Sequence, residues 1–228
     1  MSGDPRAAHF ESLYRSTTEP WRYSARGAEV LRHDWIGEVA AACEARLVLD
    51  VGCSAGQLTA RLVAPGRRVL AVDVSPTAAA RAAAHVPGAI GVSASALALP
   101  FATGGLDLVV ASDGLLSWRL DAGERAQAVG ELRRVLRPGG TAILTDHLRP
   151  RQFDEFVAVV AGGFRVERVE YLYDLAWYRM ESWFKAVRGA PGVGRLLASR
   201  GVARGLARLT RPLGARASRH ICVVARAA

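Results

Sequence analysis

The chain has 228 residues, half of them hydrophobic, and a formal net charge of +9, which suits one globular domain of ~100–200 residues with modest additions. It contains no apolar run of the ~18 residues that a membrane-spanning helix needs. Asp4, Glu11, Arg15 and Glu19 fall where a secretory leader would be apolar, so a cytoplasmic location is expected.

In chain order, apolar spacing predicts a helix over Val30–Ala42 and a strand over Leu47–Val51 that enters a glycine turn. A short helix over Gln57–Val63 and a strand over Arg68–Val74 follow. Next comes an alanine-rich helix, Pro76–His85, with Ser75 as N-cap and Pro76 at the first helical position. Strands are expected at Ala89–Val92 and Leu106–Ala111, and a helix at Ala122–Leu136 stopped by the turn Arg137-Pro138-Gly139-Gly140. A strand at Thr141–Thr145, a helix at Phe153–Ala161 and strands at Phe164–Tyr173 and His220–Ala225 complete the series. Seven strands alternating with helices predict an α/β fold, doubly wound on a mostly parallel sheet.

We read residues 1–228 as a single domain with three parts. Residues 1–30, with Phe10, Tyr14, Trp21 and Tyr23, form an aromatic N-terminal lid, and residues 45–147 form the ligand-binding core. Residues 183–219 form a basic helical insertion or cap, whose glycines and prolines predict short helices. The charge is uneven: residues 179–228 carry +10 and everything before them −1. Three readings of the arginine-rich segment stand: a solvated face, a grip for phosphate or carboxylate on an anionic or carrier-linked acceptor, and peripheral contact with an anionic membrane. Cys43, Cys53 and Cys222 lie far apart with no His or Cys at ligand spacing, so they read as buried thiols, and no metal site is expected.

The strongest local signal runs from Val48 to Gln57: an acid, Asp50, near a strand end, then Gly52 and Gly56. Glycines there let backbone approach a ligand closely. A dinucleotide fingerprint would need glycine where Ser54 stands, so NAD is disfavoured. Asp73 follows Gly56 by 17 residues at the end of the second strand, where a carboxylate can accept hydrogen bonds from both ribose hydroxyls of an adenosine.

With Leu99-Pro100-Phe101, Leu106-Asp107-Leu108 and the run Glu131 to Gly140, this pattern resembles the class I S-adenosylmethionine-dependent methyltransferases over about residues 45 to 147. Leu13-Tyr14, Glu19-Pro20-Trp21 and Asp113 with Leu115 and Leu116 resemble, more narrowly, the nodulation protein S group of N-methyltransferases. The resemblance implies S-adenosylmethionine held by Asp50, Gly52, Cys53, Ser54, Gly56, Asp73, Val74, Ser95, Ala96 and Ser112. Two positions depart from it: Ser54 replaces the middle glycine, and Ser95 replaces an acid that often contacts the adenine, where a hydroxyl accepts more weakly.

In an open α/β sheet, ligands bind beyond the carboxyl ends of the strands. That rule makes Asp113 and His147, with Asp146 alongside, the catalytic candidates for proton removal from an amine or hydroxyl. Tyr14, Trp21, Trp118, Tyr171 and Tyr178 are the candidate acceptor-lining aromatics, joined by Tyr173 and Trp177. The expected acceptor is a small molecule, an aminosugar, sugar or related secondary metabolite, with nitrogen ahead of oxygen. Nucleic acid is disfavoured: Ser112-Asp113-Gly114-Leu115 stands where DNA amino-methyltransferases carry Asn/Asp-Pro-Pro-Tyr/Phe, and no Pro-Cys nucleophile occurs. An RNA methyltransferase and a non-catalytic cofactor-binding regulator remain as alternatives.

Overall fold

The computed structural model describes residues 5–113, 120–187, 190 and 192–227. Strands β1 (Leu47–Val51), β2 (Arg68–Asp73), β3 (Ala89–Ser93), β4 (Leu106–Ser112), β5 (Leu136–His147), β6 (Arg165–Tyr171) and β7 (His220–Arg226) form one sheet in the order β3-β2-β1-β4-β5-β7-β6. The first five strands are parallel, and β7 runs antiparallel between β5 and β6. The α-helices are α1 (Pro5–Ser16), α2 (Gly27–Ala41), α3 (Thr59–Leu62), α4 (Pro76–His85), α5 (Ala122–Val135), α6 (Phe153–Ala161), α7 (Leu175–Trp183), α8 (Val193–Ala198) and α9 (Arg200–Thr210).

The sheet is covered on both faces, which explains why its central strands are apolar throughout rather than alternating. Leu49 and Val51 point into one core with Leu132 of α5 and Phe156 of α6. Their neighbour Val48 joins Val110 and Ile143 in a second core against Ile36 and Ala40 of α2 and Leu62 of α3. The period of two along each strand thus feeds two layers at once. Helix α4 starts where expected: the Ser75 hydroxyl accepts the Ala78 amide at 3.1 Å, and Pro76 opens the helix. Strand order reverses at β1, between β2 and β4, and this opens a crevice beyond the strands' carboxyl ends.

Four boundaries differ from the sequence reading. Arg137–Gly140 is not a turn outside the strand: β5 begins at Leu136, directly after α5. Leu136 pairs with Leu106 of β4, and Gly139, at φ +72°, donates its amide to Ala227. Strand β6 ends at Tyr171 because Tyr173 turns to φ +53° and gives its amide to the Ser218 hydroxyl. Helix α2 begins three residues early, at Gly27, where a Cβ would stand 2.5 Å from the Ser199 carbonyl oxygen. Helix α7 follows a stretch read as strand and has no counterpart in that reading.

The N-terminal segment does lie against the core. Glu11 of α1 accepts from the Ser75 and Thr77 hydroxyls and the Thr77 amide at 2.6–3.1 Å, while Arg81 of α4 donates to the Tyr14 and Thr17 carbonyls. Helix α9 packs on α2 and α7 through Ala203 and Leu206. Among the described residues, no helix is long and apolar enough to cross a membrane.

Candidate active site

A cleft of about 370 Å³ lies beyond the carboxyl ends of β1, β2, β4 and β5, roofed by the N-terminal segment. At one end stands the glycine turn. The Gly52 and Cys53 amides donate to the Val72 carbonyl at 2.8 and 3.0 Å, which bends the chain sharply out of β1. Ser54 takes the left-handed backbone, φ +54°, and its amide donates to Asp73 Oδ2 at 3.1 Å, while the Ser75 amide donates to Oδ1 at 2.9 Å. With the Val74 amide as a third backbone donor, the carboxylate still keeps acceptor capacity to spare. Burial, outweighing these backbone donors, raises the Asp73 carboxyl above its ordinary value.

Val74, Ser95 and Ala96 line the same end, with Gly52 and Ser54. Gly52, at φ +77°, has open space where a Cβ would stand, a cradle that a side chain would fill. The residues at this end fit an adenosine: a carboxylate with free acceptor capacity, a bare backbone turn and an apolar floor.

Asp50, Cys53, Gly56 and Ser112 do not line the cleft. Asp50 is held by the Thr59 hydroxyl at 2.6 Å, and burial pushes its carboxyl up to about 7. Cys53 is a buried thiol. Gly56 serves packing: at φ +91°, a Cβ there would meet the Ala82 Cα of α4 at 3.0 Å. Ser112 bonds to Arg32 beneath the floor. Tyr14 and Trp21 line the cleft and are joined by a 2.9 Å bond from the indole N–H to the phenol oxygen. Burial first, then the Asp73 charge, raises the Tyr14 phenol.

At the other end, Asp113, Asp146, His147 and Tyr178 converge. Asp113, at φ +53°, directly follows β4, and Asp146 stands beside it near the end of β5. Asp113 Oδ2 is 2.8 Å from Arg32 Nη2 and 3.7 Å from His220 Nε2, while its Oδ1 is buried with no partner. Asp146 Oδ1 accepts the His147 amide at 2.8 Å, and its Oδ2 is likewise buried and unpaired.

Burial alone would raise Asp113, but Arg32 and His220 overcome it and hold the group ionised, below its ordinary value. Asp146 lacks such a direct cation; burial and the Asp113 charge push it up to about 7. Burial pulls His147 down to about 4, with the His220 charge adding to it, so its imidazole is neutral at physiological pH.

The sequence reading missed the layer beneath. Arg32, fully buried on α2, pairs with Glu29 at 2.7 Å as well as with Asp113, and its guanidinium also bonds Ser112 and Thr145. Glu29 in turn accepts from the Tyr178 hydroxyl at 2.5 Å and from Arg26, which clamps Glu181. His220, at the start of β7, is fully buried, its Nδ1 2.5 Å from Asp174. The signal was legible: Glu29, Arg32, His33, Ile36 and Ala40 follow a three-and-four spacing, so charged residues occupy the helix stripe that faces the core.

Three aromatic candidates, Tyr171, Tyr173 and Trp177, do not line the cleft. Tyr171 is not on the cleft wall but packs on Phe153, ring centres 5.3 Å apart, against the main core. Tyr178 is on the wall, its ring 4.9 Å from His147. Trp118, with Leu115 and Leu116, lies outside the described residues. Glu29, Asp113 and His220 offer three ligand atoms within 4.8 Å of one another. Arg32, already paired with both of these carboxylates, puts a fixed positive charge there.

Residues 48–140 match the methyltransferase domain family. An uncharacterised methyltransferase of Mycobacterium bovis is 36% identical over 107 residues, covering 47% of this chain and 40% of that protein. A demethylmenaquinone methyltransferase of Thermus thermophilus is 35% identical over 109 residues, covering 45% and 48%. The chain thus spans less than half the length of these two relatives. Among solved structures, the N-methyltransferase NodS of Bradyrhizobium japonicum, in complex with S-adenosylhomocysteine, superposes with TM-score 0.63 at 17% identity over 95% of this chain and 97% of that one. The [4+2]-cyclase SpnF superposes with TM-score 0.64 at 20% identity over 87% and 81%. The chain has the Rossmann-like methyltransferase fold, and its residues 48–140 resemble the methyltransferase domain family.

Proposed function

We propose that this methyltransferase-domain chain transfers a methyl group from S-adenosylmethionine to an amine or hydroxyl of a small-molecule acceptor, an aminosugar, sugar or related secondary metabolite, with nitrogen the favoured atom. One observation carries the reading. A single cleft runs from the Asp73 carboxylate at its adenosine end to two unpaired carboxylate oxygens, on Asp113 and Asp146, at its other end.

When bound, S-adenosylmethionine supplies a methyl group on a positively charged sulfur, displaced in line by the acceptor. Asp73 and the bare backbone at Gly52 hold the ribose and the adjoining chain, and Tyr14 and Trp21 cover them. Asp113, kept ionised by Arg32 and His220, orients an N–H or O–H of the acceptor through its free Oδ1. Asp146, up to about 7, takes the acceptor's proton near neutral pH, a task for which the His147 imidazole, down at about 4, is poorly matched. Holding nucleophile and methyl at ~3–3.5 Å accounts for most of the acceleration expected of such a site. The paired acids favour an amine, because a cationic ammonium gains from both before it loses its proton. Arg32 already supplies the positive charge among Glu29, Asp113 and His220, so no metal is required.

The test has two stages. Calorimetry should show S-adenosylmethionine binding that Asp73→Ala abolishes and Asp113→Asn spares. A labelled-methyl screen over aminosugars, sugars, quinones and a transfer RNA should then show transfer to a small amine, slowed in Asp113→Asn. Binding without transfer to any acceptor would favour the second reading, a protein of this fold that does other chemistry or regulates. The likeness to a cyclase keeps that reading in view. Transfer to the quinone, the acceptor class named for the Thermus relative, or to the RNA would overturn the amine assignment alone.

A further inference from the structure

Six large apolar side chains stand exposed among the described residues, and four of them, Trp183, Val187, Leu209 and Leu213, fall between residues 183 and 213. Trp183 is 81% exposed, Leu209 76% and Leu213 66%. They lie in the part of the chain with no acid at all: from Ser182 onward the sequence has neither Asp nor Glu. Arg200, Arg204 and Arg208 recur every fourth residue along α9 and so share a face, which Arg211 continues. Arg200 is neutralised by Asp34 at 3.2 Å; among the described residues no acid pairs with Arg204, Arg208 or Arg211.

The amphipathic character of α9 does not by itself explain this surface. Its apolar stripe is used inside the molecule, where Ala203 and Leu206 pack with Ala28, Leu31 and Trp177. Leu209 and Leu213 are left over, outside that packing and interleaved with free cations. Water rewards the arginines and penalises the leucines and Trp183; a nucleic acid would take the arginines and stack on Trp183 but offers nothing to the leucines. A bilayer surface of anionic lipid rewards both, with guanidinium groups on phosphates and apolar side chains among the upper acyl carbons. The same segment reaches the cleft, since Ser182 and Lys185 line a cavity at its rim together with Trp21, Arg26 and Tyr178, which also line the cleft itself.

We propose that the cap docks on an anionic membrane surface through Trp183, Leu209 and Leu213, ringed by Lys185, Arg204, Arg208 and Arg211. Docking would bring the rim of the cleft close to the lipid headgroups. It is independent of which acceptor is methylated.

The full chain is sedimented with vesicles of phosphatidylcholine and with vesicles that also contain phosphatidylglycerol. Binding is expected only to the second kind, weakening as salt rises. Arg208→Gln with Arg211→Gln should lower the partition coefficient about 30-fold, at roughly a factor of five for each cation. Leu209→Ser with Leu213→Ser, which leaves the charge unchanged, should lower it about tenfold or more. All four side chains are exposed, so circular dichroism and S-adenosylmethionine binding should match the parent chain in both variants. Equal binding to neutral vesicles, no binding to either kind, or leucine variants that bind as the parent does would each overturn the proposal. So would an RNA hairpin that displaces the vesicles and binds the leucine variant unchanged, which would reassign the surface to nucleic acid.

Discussion

Asp113 and Asp146 follow paired residues of adjacent parallel strands, Ser112 and Thr145, yet titrate differently. The main cause is Arg32, which touches the first and not the second, with His220 adding to it. Near neutrality, a single exchangeable proton belongs to the pair, mostly on Asp146, and kinetics would report an apparent value for the pair. A proton acceptor must be deprotonated, so turnover should rise with pH through about 7. Asp146→Asn should remove that limb and cut kcat by about 10²–10⁴. His147→Gln should leave the limb in place, because the imidazole, held down at about 4, is already neutral across it. A kcat profile over the neutral range for the three proteins checks both; a limb that vanishes with His147 instead would move the base there.

At this scale the sequence was informative wherever a residue sits inside a spaced motif. Asp73, Ser54, Asp113 and His147 all reached the cleft. For the support beneath them, helix spacing shows that Arg32 faces the core but not what it meets there. Arg32 and His220 act through tertiary contacts with residues 81 and 46 positions away, Asp113 and Asp174, and no local spacing encodes such a pairing.

Among the elements, the β1–α4 junction rests on Gly56. Its φ of +91° costs a side-chain-bearing residue about 1–2 kcal/mol, and a Cβ pressed to 3.0 Å from the Ala82 Cα adds an overpacking cost of about 1–3 kcal/mol. Gly56→Ala should therefore lose about 2–5 kcal/mol, seen as a fall in Tm of about 5–15 °C by scanning calorimetry. An unchanged Tm would mean that α4 can move away freely. Helix α1 is joined to the same helix, α4, through Glu11. Glu11→Ala should weaken S-adenosylmethionine binding and speed proteolysis within α1, while the core melts as before.

Strand and helix positions in the core were readable because each apolar run is bounded by glycine, proline or a capping serine. The cap was less so, and α7 was missed. Its sequence, Leu175–Trp183, mixes aromatic and charged residues, and it becomes amphipathic only against α2 and α9, which cover Trp177.

Across the whole molecule, charge is sorted by depth. The surplus of arginine lies between residues 179 and 228, whereas buried Glu29, Arg32, Asp174 and His220 form, with half-buried Asp113, a cluster joining α2, β7, the end of β4 and the start of α7. Such a cluster makes stability depend on pH, with a sign that can be worked out. Burial alone would lower His220, but Asp174 and Asp113 overcome it and raise it to about 10. The folded chain therefore keeps a proton that the unfolded chain releases above about 6.5. The stabilisation is fully present below that value and is lost as pH rises toward 10, with a slope of about 1.4 kcal/mol per pH unit.

Neighbouring groups bound the window. Asp146 and Asp50, both pushed up to about 7, are half-ionised there and add only a few tenths of a kcal/mol each to the loss above it, and His33 and His147, held down near 3 and 4, matter only on the acid side. The buried thiols Cys53 and Cys222 are raised above their ordinary value of 9.0 and steepen the loss only above about pH 9. Between pH 7 and 9, then, urea denaturation should show stability falling by about 2–3 kcal/mol. His220→Gln should be less stable at pH 7, because Asp174 and Asp113 lose a buried cation, and nearly flat across the same interval. A variant that keeps the parent's slope would show that the proton resides elsewhere in the cluster.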